Sequence, residues 1–208
     1  MIVMMHGWGY DRTVWRHMLP VLDGLPVITP DLGFFGPSDT PDLSKGCLGV
    51  GHSLGFLWLL KNAGASCARL MSVAGFPRFA GAADYSPAVA PRLIARMQAQ
   101  FAEAPDNVLR DFWARCGGPG PDSAPDRRRL GDGLDWLAHW DGRAALAAYQ
   151  GQVDVVAGLD DPIVPPAMAE MAFAERDIAW RPGGHLLPLT DAAYLAARIR
   201  EAWREIAR

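Results

Sequence analysis

The stretch Cys47-Leu48-Gly49-Val50-Gly51-His52-Ser53-Leu54-Gly55-Phe56-Leu57-Trp58-Leu59-Leu60 is apolar except at His52 and Ser53. Its first part, 47–51, has the length and composition of a buried strand. Its last part, 54–63, reads as a helix that is apolar almost all round. Gly51-His52-Ser53-Leu54-Gly55 therefore places a Gly-x-Ser-x-Gly pattern at a strand-to-helix junction, the layout of a nucleophile elbow. Such a turn is tight enough to strain its central residue and to push that side chain into the open. A Cβ at either glycine position would collide with the neighbouring strand or helix. Ser53 is thus the first residue to suspect of chemistry.

On either side of this junction, short apolar runs alternate with helical patterns, which predicts βαβ units and a parallel sheet. The strands are expected at 2–5, 27–30, 47–51, 69–74, 153–157 and 178–181. They are apolar almost throughout, as strands covered on both faces should be. Helices are expected at 13–22, 54–63, 167–173 and 192–206, the last with Leu195, Ile199, Trp203 and Ile206 on one face and Thr190-Asp191 as its N-cap region. Arg198, Arg200, Glu201, Arg204 and Glu205 read as its solvated face. Strand signals stop between Gly75 and Gln150, where 91–104, 106–116 and 134–149 read as helices and 117–121 as a loop. The expected organisation is a core made of 1–75 and 151–208, with a helical lid over 76–150. A lid inserted there would cover the sheet's C-terminal edge, where open α/β sheets place their ligands.

A serine hydroxyl needs a base to take its proton, and the base needs an acid to orient it. The segment after strand 153–157 contains Asp160 and Asp161, and the segment after strand 178–181 contains His185. Both leave the C-terminal ends of strands, so both can reach the edge that carries Ser53. His6-Gly7-Trp8-Gly9 follows the first strand and can present backbone N–H groups to a developing oxyanion, with Trp8 best placed and Leu54 as the second donor. His6 and His52 read as residues steadying these loops, and Asp31 as a tie for the turn that follows it. His17 and His139 carry no expected role.

The 208 residues include 50% hydrophobic and 21% charged ones, with a formal net charge of −3. That balance suits one soluble domain and gives no general attraction for nucleic acid or an anionic membrane. The three cysteines have no metal-ligand spacing, and Cys47 and Cys67 fall in core-like runs. No metal or cofactor is expected. The N-terminus lacks the basic region of a signal peptide and no apolar run reaches the length of a membrane span, so a cytoplasmic protein is expected.

Taken together, His6-Gly7-Trp8-Gly9 with Trp15, Asp31-Leu32-Gly33-Phe34-Phe35-Gly36-Pro37-Ser38, the elbow, Asp161 to Pro165 and Gly184-His185 make the chain resemble the α/β-hydrolases over nearly its whole length. Within that superfamily it is most similar to the pimeloyl-[acyl-carrier protein] methyl ester esterases of biotin synthesis. The finer likeness rests on the Trp of the first loop, on Arg110-Asp111-Phe112-Trp113-Ala114, and on Gly133-Leu134-Asp135-Trp136-Leu137 ahead of Asp141-Gly142-Arg143-Ala144-Ala145-Leu146.

The resemblance implies Ser53 as nucleophile, His185 as general base and acid, and Asp161 as its orienting acid, since the family's acid lies four residues before the proline, here Pro165. It also implies an oxyanion hole of the Trp8 and Leu54 amides, and substrate contacts from Trp8, Phe112, Trp113 and Cys116. The implied reaction is carboxylic ester hydrolysis through an acyl-serine, on a small acyl ester carried by acyl-carrier protein. A short-chain ester, a thioester or a lactone are the alternative bonds, and a non-catalytic binding protein the alternative role. A monomer or a homodimer is expected.

The chain departs from the family in three places. The usual N-terminal β-hairpin is absent, which would leave a sheet edge open. The stretch 38–47 is too short for the usual crossover helix, and Cys116 stands where the esterases carry a polar amide. Arg92, Arg96, Arg110, Arg115, Arg127, Arg128 and Arg129 could serve an acidic carrier protein, but acids in the same region bring its net charge near zero.

Overall fold

The computed structural model describes residues 1–43 and 46–207. Six parallel strands form one sheet in the order β2-β1-β3-β4-β5-β6. They are β1 (Ile2–Met5), β2 (Val27–Ile28), β3 (Cys47–His52), β4 (Cys67–Val73), β5 (Gln152–Gly158) and β6 (Ile178–Arg181). β1 and β3 are buried at every residue, which explains their lack of polar alternation. From β1 the chain passes outward to β2 and then returns to the other side of β1 as β3. The sheet therefore reverses direction between β1 and β3, and a crevice opens there beyond the strands' carboxyl ends. Ser53 follows β3 and His6-Gly7-Trp8 follows β1, so nucleophile and oxyanion loop stand on the two sides of that crevice.

α1 (Leu54–Asn62) packs on β1, β3 and β4 with six of its nine residues buried, as a helix apolar on nearly every face must. α6 (Pro166–Ala172) packs on β5, and α8 (Ala192–Ile206) on β3 and β4 through Leu195, Ala196, Ile199 and Ala202. A short α7 (Leu187–Thr190) precedes α8. Asp191 does stand at the start of α8, but its carboxylate receives the Arg181 guanidinium at 2.6 Å and makes no side-chain cap. The polar face of α8 is not wholly solvated. Arg198 and Glu205 reach a buried pair in the sheet, Arg69 on β4 and Asp154 on β5, whose closest contact is 2.6 Å. Two nearly buried charges in adjacent strands require such partners.

Between β4 and β5 lie α2 (Pro91–Glu103), α3 (Pro105–Cys116), α4 (Arg127–His139) and α5 (Arg143–Ala148). α2 packs on both α3 and α4, whereas α5 packs on α1 of the core.

Two helix expectations need correction. The stretch 13–22 is a 3-10 turn at Arg12–Trp15 followed by further turns. Pro20 lacks the N–H that an α-helix would use there, and its ring would strike the preceding turn. Even so, Val14, Trp15, Met18 and Leu22 are buried, so the spacing signalled the core face rather than the helix type.

The stretch 134–149 is two helices, broken at 140–142. Asp141 turns away to accept both Arg78 and Arg143, and the Gly142 N–H donates to the Pro77 carbonyl at 2.8 Å. The first half of α4 carries three arginines and two glycines, which masked its helical period. The connection 38–47 has no helix in its described part, and residues 44 and 45 lie outside the described residues.

Candidate active site

Ser53 occupies the junction of β3 and α1 with φ 54° and ψ −124°, a region that side-chain-bearing residues seldom enter. The packing that enforces this conformation is visible at the two flanking glycines. A Cβ on Gly51 would lie 2.3 Å from the Phe56 Cα, and one on Gly55 would lie 2.2 Å from the Met5 carbonyl oxygen. α1 thus starts so close to β1 and β3 that only hydrogen fits at either position. Ser53 itself is 6% exposed, at the floor of the crevice.

His185 and Asp161 meet there from the far strands. The His185 Nδ1–H donates to Asp161 Oδ2 at 2.8 Å, with both side chains almost fully buried. The other oxygen of Asp161 accepts the N–H groups of Ile163 and Val164 at 2.8 and 2.9 Å. Burial would raise the Asp161 pKa, but His185 and these two amides outweigh it and hold the carboxyl below its usual value. An ionised carboxylate on Nδ1 fixes the tautomer in which Nε2 carries the lone pair. Among the described residues, Nε2 is buried and has no hydrogen-bond partner. That arrangement leaves the Nε2 lone pair able to accept a proton. The neighbouring Asp160 is exposed and does not enter the site.

His52 holds this imidazole from behind. Its Nε2–H donates to the His185 carbonyl at 2.9 Å, and the two rings lie 4.9 Å apart. Complete burial, helped by the adjacent His185, pushes the His52 pKa down to about 3, so it stays neutral and keeps this donor role. Replacing His52 with Leu should leave the buried His185 carbonyl unpaired and cost about 1–3 kcal/mol in chemical denaturation. His52→Gln can still present an amide N–H and should recover much of that loss.

The loop after β1 is tied as firmly. The His6 Nε2 accepts the Leu32 N–H at 2.9 Å, and Asp31 accepts the N–H groups of Gly33 and Arg12 at 2.9 and 3.1 Å. Asp31 therefore braces the turn and lies outside the Ser53–His185–Asp161 group. A Cβ on Gly7 would come within 2.8 Å of the Ser53 Cβ, which shows how near this loop runs to the serine. Leu54 is the first residue of α1, where helix N–H groups lack an intrahelical acceptor. Among the described residues, neither the Leu54 nor the Trp8 amide donates to another group. Two backbone donors beside a serine can hold a developing negative oxygen.

Beside the Trp8 loop is a cavity of about 670 Å³ whose walls include Trp8, Phe79, Leu93, Ile94, Met97, Val108 and Phe112; Ser53 and His185 are not among its lining residues. Its polar rim carries Arg96, Asp111 and Arg115, and its far side is formed by Pro162, Ile163 and Met168. Trp8 and Phe112 meet edge to face at 4.8 Å. Two other residues expected at the substrate lie elsewhere. Trp113 is outside the cavity wall, its indole N–H donating to the Gly9 carbonyl at 2.7 Å. Cys116 is buried beside the Tyr10 hydroxyl, without a well-formed hydrogen bond between them. Burial pushes its thiol pKa up to about 12, which keeps it protonated and unreactive. Sequence reasoning missed Met97, Ile94 and Met168 as cavity walls. The apolar face of 91–104 was legible, but not which way it would point.

The same architecture recurs in solved structures. An esterase from Exiguobacterium antarcticum superposes with a TM-score of 0.82 at 16% identity, over 98% of this chain and 91% of its own. A thermophilic esterase from Thermogutta terrifontis does so with a TM-score of 0.78 at 20% identity, over 99% and 89%. The chain has the α/β-hydrolase fold. No protein-family model matches it.

Among curated proteins it is similar to the biotin biosynthesis bifunctional protein of Cellvibrio japonicus, at 29% identity over 204 residues. That match takes in 81% of this chain but only 40% of the larger protein's length. It is also similar to the pimeloyl-[acyl-carrier protein] methyl ester esterases of Legionella pneumophila (26% identity, 85% of this chain and 81% of that protein) and of Aromatoleum aromaticum (29% identity, 81% and 82%). Among the described residues no helix is long and apolar enough to cross a membrane, and no group of metal-ligating side chains is found.

Proposed function

We propose that this hydrolase cleaves a carboxylic ester through an acyl-serine, with pimeloyl-[acyl-carrier protein] methyl ester as its preferred substrate. The observation that carries the chemistry is the 2.8 Å Asp161–His185 pair at the same sheet edge as the strained Ser53. The His185 Nε2 takes the Ser53 proton as Oγ attacks the ester carbonyl, and the Trp8 and Leu54 amides hold the resulting oxyanion. The C–O bond to the alcohol then breaks, with His185 returning the proton to the leaving alkoxide. Water attacks the acyl-serine under the same base, and the acid and free Ser53 are released.

The choice of substrate draws support from the curated relatives and from the cavity. A largely apolar chamber of about 670 Å³ with two arginines on its rim suits an acyl chain that enters from a polar, acidic carrier. Several arginines of the helical segment are already engaged. Arg127 pairs with Asp106, Arg128 with Asp132, Arg129 donates to Ser38 and Arg115 to the Pro162 carbonyl, which leaves Arg96 at the rim as the more available contact.

The test is direct. The enzyme should release methanol from pimeloyl-carrier-protein methyl ester with a kcat/KM at least tenfold above that for p-nitrophenyl butyrate, and should restore growth to a biotin-requiring strain lacking its pimeloyl ester esterase. Turnover of the nitrophenyl ester alone, with no rescue, would assign a general short-chain esterase instead.

A further inference from the structure

The oxyanion loop is held from outside the sheet as well as from within it. Two indole N–H groups cross between this loop and the helical segment, in opposite directions. Trp8 of the loop donates to the Leu130 carbonyl of α4 at 2.8 Å, and Trp113 of α3 donates to the Gly9 carbonyl at 2.7 Å. Both bonds hold the chain immediately after the peptide that carries the Trp8 amide. The packing around them leaves little slack. Gly9 has φ 73°, and a Cβ there would lie 2.8 Å from the Phe112 ring. A Cβ on Gly133 would lie 2.6 Å from Trp8 Cδ1, so α4 meets the Trp8 indole at a glycine. On its other sides Trp113 is held by Phe35, with ring centroids 6.1 Å apart, and by Gly120, whose Cβ would fall 2.2 Å from Trp113 Cε2.

We infer that Trp113 is a positioning residue for the oxyanion hole: through the Gly9 carbonyl it fixes the loop that aims the Trp8 amide at the reacting carbonyl, and so couples the helical segment to catalysis. The inference rests on the assignment of the Trp8 amide as an oxyanion donor. It replaces a substrate contact for Trp113 with an effect on chemistry alone. An indole bonded to the backbone and lying outside the cavity wall meets no part of an acyl chain. It can, however, decide whether a backbone N–H stands within hydrogen-bond reach of an oxygen that turns negative only in the transition state. Misplacing such a donor lowers kcat and leaves ground-state binding alone.

The experiment compares Trp113→Phe with Met97→Ala, a change in the cavity wall away from the loop, on p-nitrophenyl esters of two to eight acyl carbons. Trp113→Phe should lower kcat by about 10–100-fold at every chain length, with KM within twofold of the parent, as expected for partial misplacement of one oxyanion donor. A trifluoromethyl ketone, which adds Ser53 to form a stable oxyanion, should lose affinity by the same factor. Met97→Ala should instead raise KM increasingly with chain length. A Trp113→Phe enzyme whose kcat stays within twofold, or whose defect grows with chain length through KM, overturns the inference while leaving the esterase reading intact. A parent enzyme without ester turnover would remove both. Should Trp113→Phe fold poorly, benzothienylalanine at position 113 carries the same expectation, because it keeps the ring outline and lacks only the N–H.

Discussion

Ser53→Ala should lower kcat for any ester substrate by roughly 10⁴-fold or more, with KM and thermal stability nearly unchanged. The two halves of that expectation have separate causes. The loss in rate follows because the covalent bond to the acyl carbon forms at the Ser53 Oγ, and alanine offers His185 no hydroxyl to deprotonate at that position. The unchanged stability follows from the elbow itself. Alanine keeps the same Cβ in the same backbone conformation at φ 54°, so the strain is neither relieved nor increased. Among the described residues no hydrogen bond to Ser53 Oγ is found, so alanine orphans no buried partner there. Activity remaining above background would come from the oxyanion amides and from binding alone. The measurement pairs steady-state kinetics with mass spectrometry of a fluorophosphonate-treated sample. The parent should carry one adduct on the peptide containing Ser53, and the variant none. A variant that keeps even a tenth of the parental kcat would sink the assignment of Ser53 as nucleophile.

Much of the site was legible because its parts are written locally. The elbow needs two glycines at fixed spacing, and the sequence around Ser53 carries them. The acid and base follow recognisable strands, so their arrival at one sheet edge could be deduced from parallel topology before any distance was known. The sheet was equally plain, since β1 and β3 are apolar almost throughout for a reason that acts on every residue: both faces are covered. What escaped was non-local. The turn at 12–24 keeps the burial of Trp15 and Met18 but not the α-helical geometry, because Pro20 forbids it. The break between α4 and α5 depends on Asp141 finding Arg78, which lies 63 residues earlier in the chain.

Trp113 is the most instructive case. Its neighbour Phe112 lines the cavity, and two adjacent aromatics on a helix look alike in a sequence. They point about 100° apart on that helix, so one faces the chamber and the other reaches the backbone of the loop beneath. Function in this region is set by which side of α3 meets the first loop, and no local pattern records that.

Gly55→Ala should be the most damaging single-methyl change in the molecule, costing at least about 3 kcal/mol and sharply lowering the yield of folded protein. The new Cβ would sit 2.2 Å from the Met5 carbonyl oxygen and 2.6 Å from that of His6. Both are backbone atoms, and neither can rotate away as a side-chain tip could. To make room, α1 would have to lift from the end of β1. That movement would carry the Leu54 amide and Ser53 away from Trp8, so any folded remnant should also lose activity beyond its loss of stability. The comparison that makes this more than a general intolerance is Gly131→Ala. Gly131 lies within α4 with nothing within 4 Å of a built Cβ. There the same methyl should raise stability by about 0.5–1 kcal/mol, because alanine loses less backbone entropy than glycine in forming a helix. Chemical denaturation of the two variants should therefore move in opposite directions from the parent. If Gly55→Ala unfolded at the parental midpoint, the close approach of α1 to β1 could not be what holds Ser53 in its strained conformation.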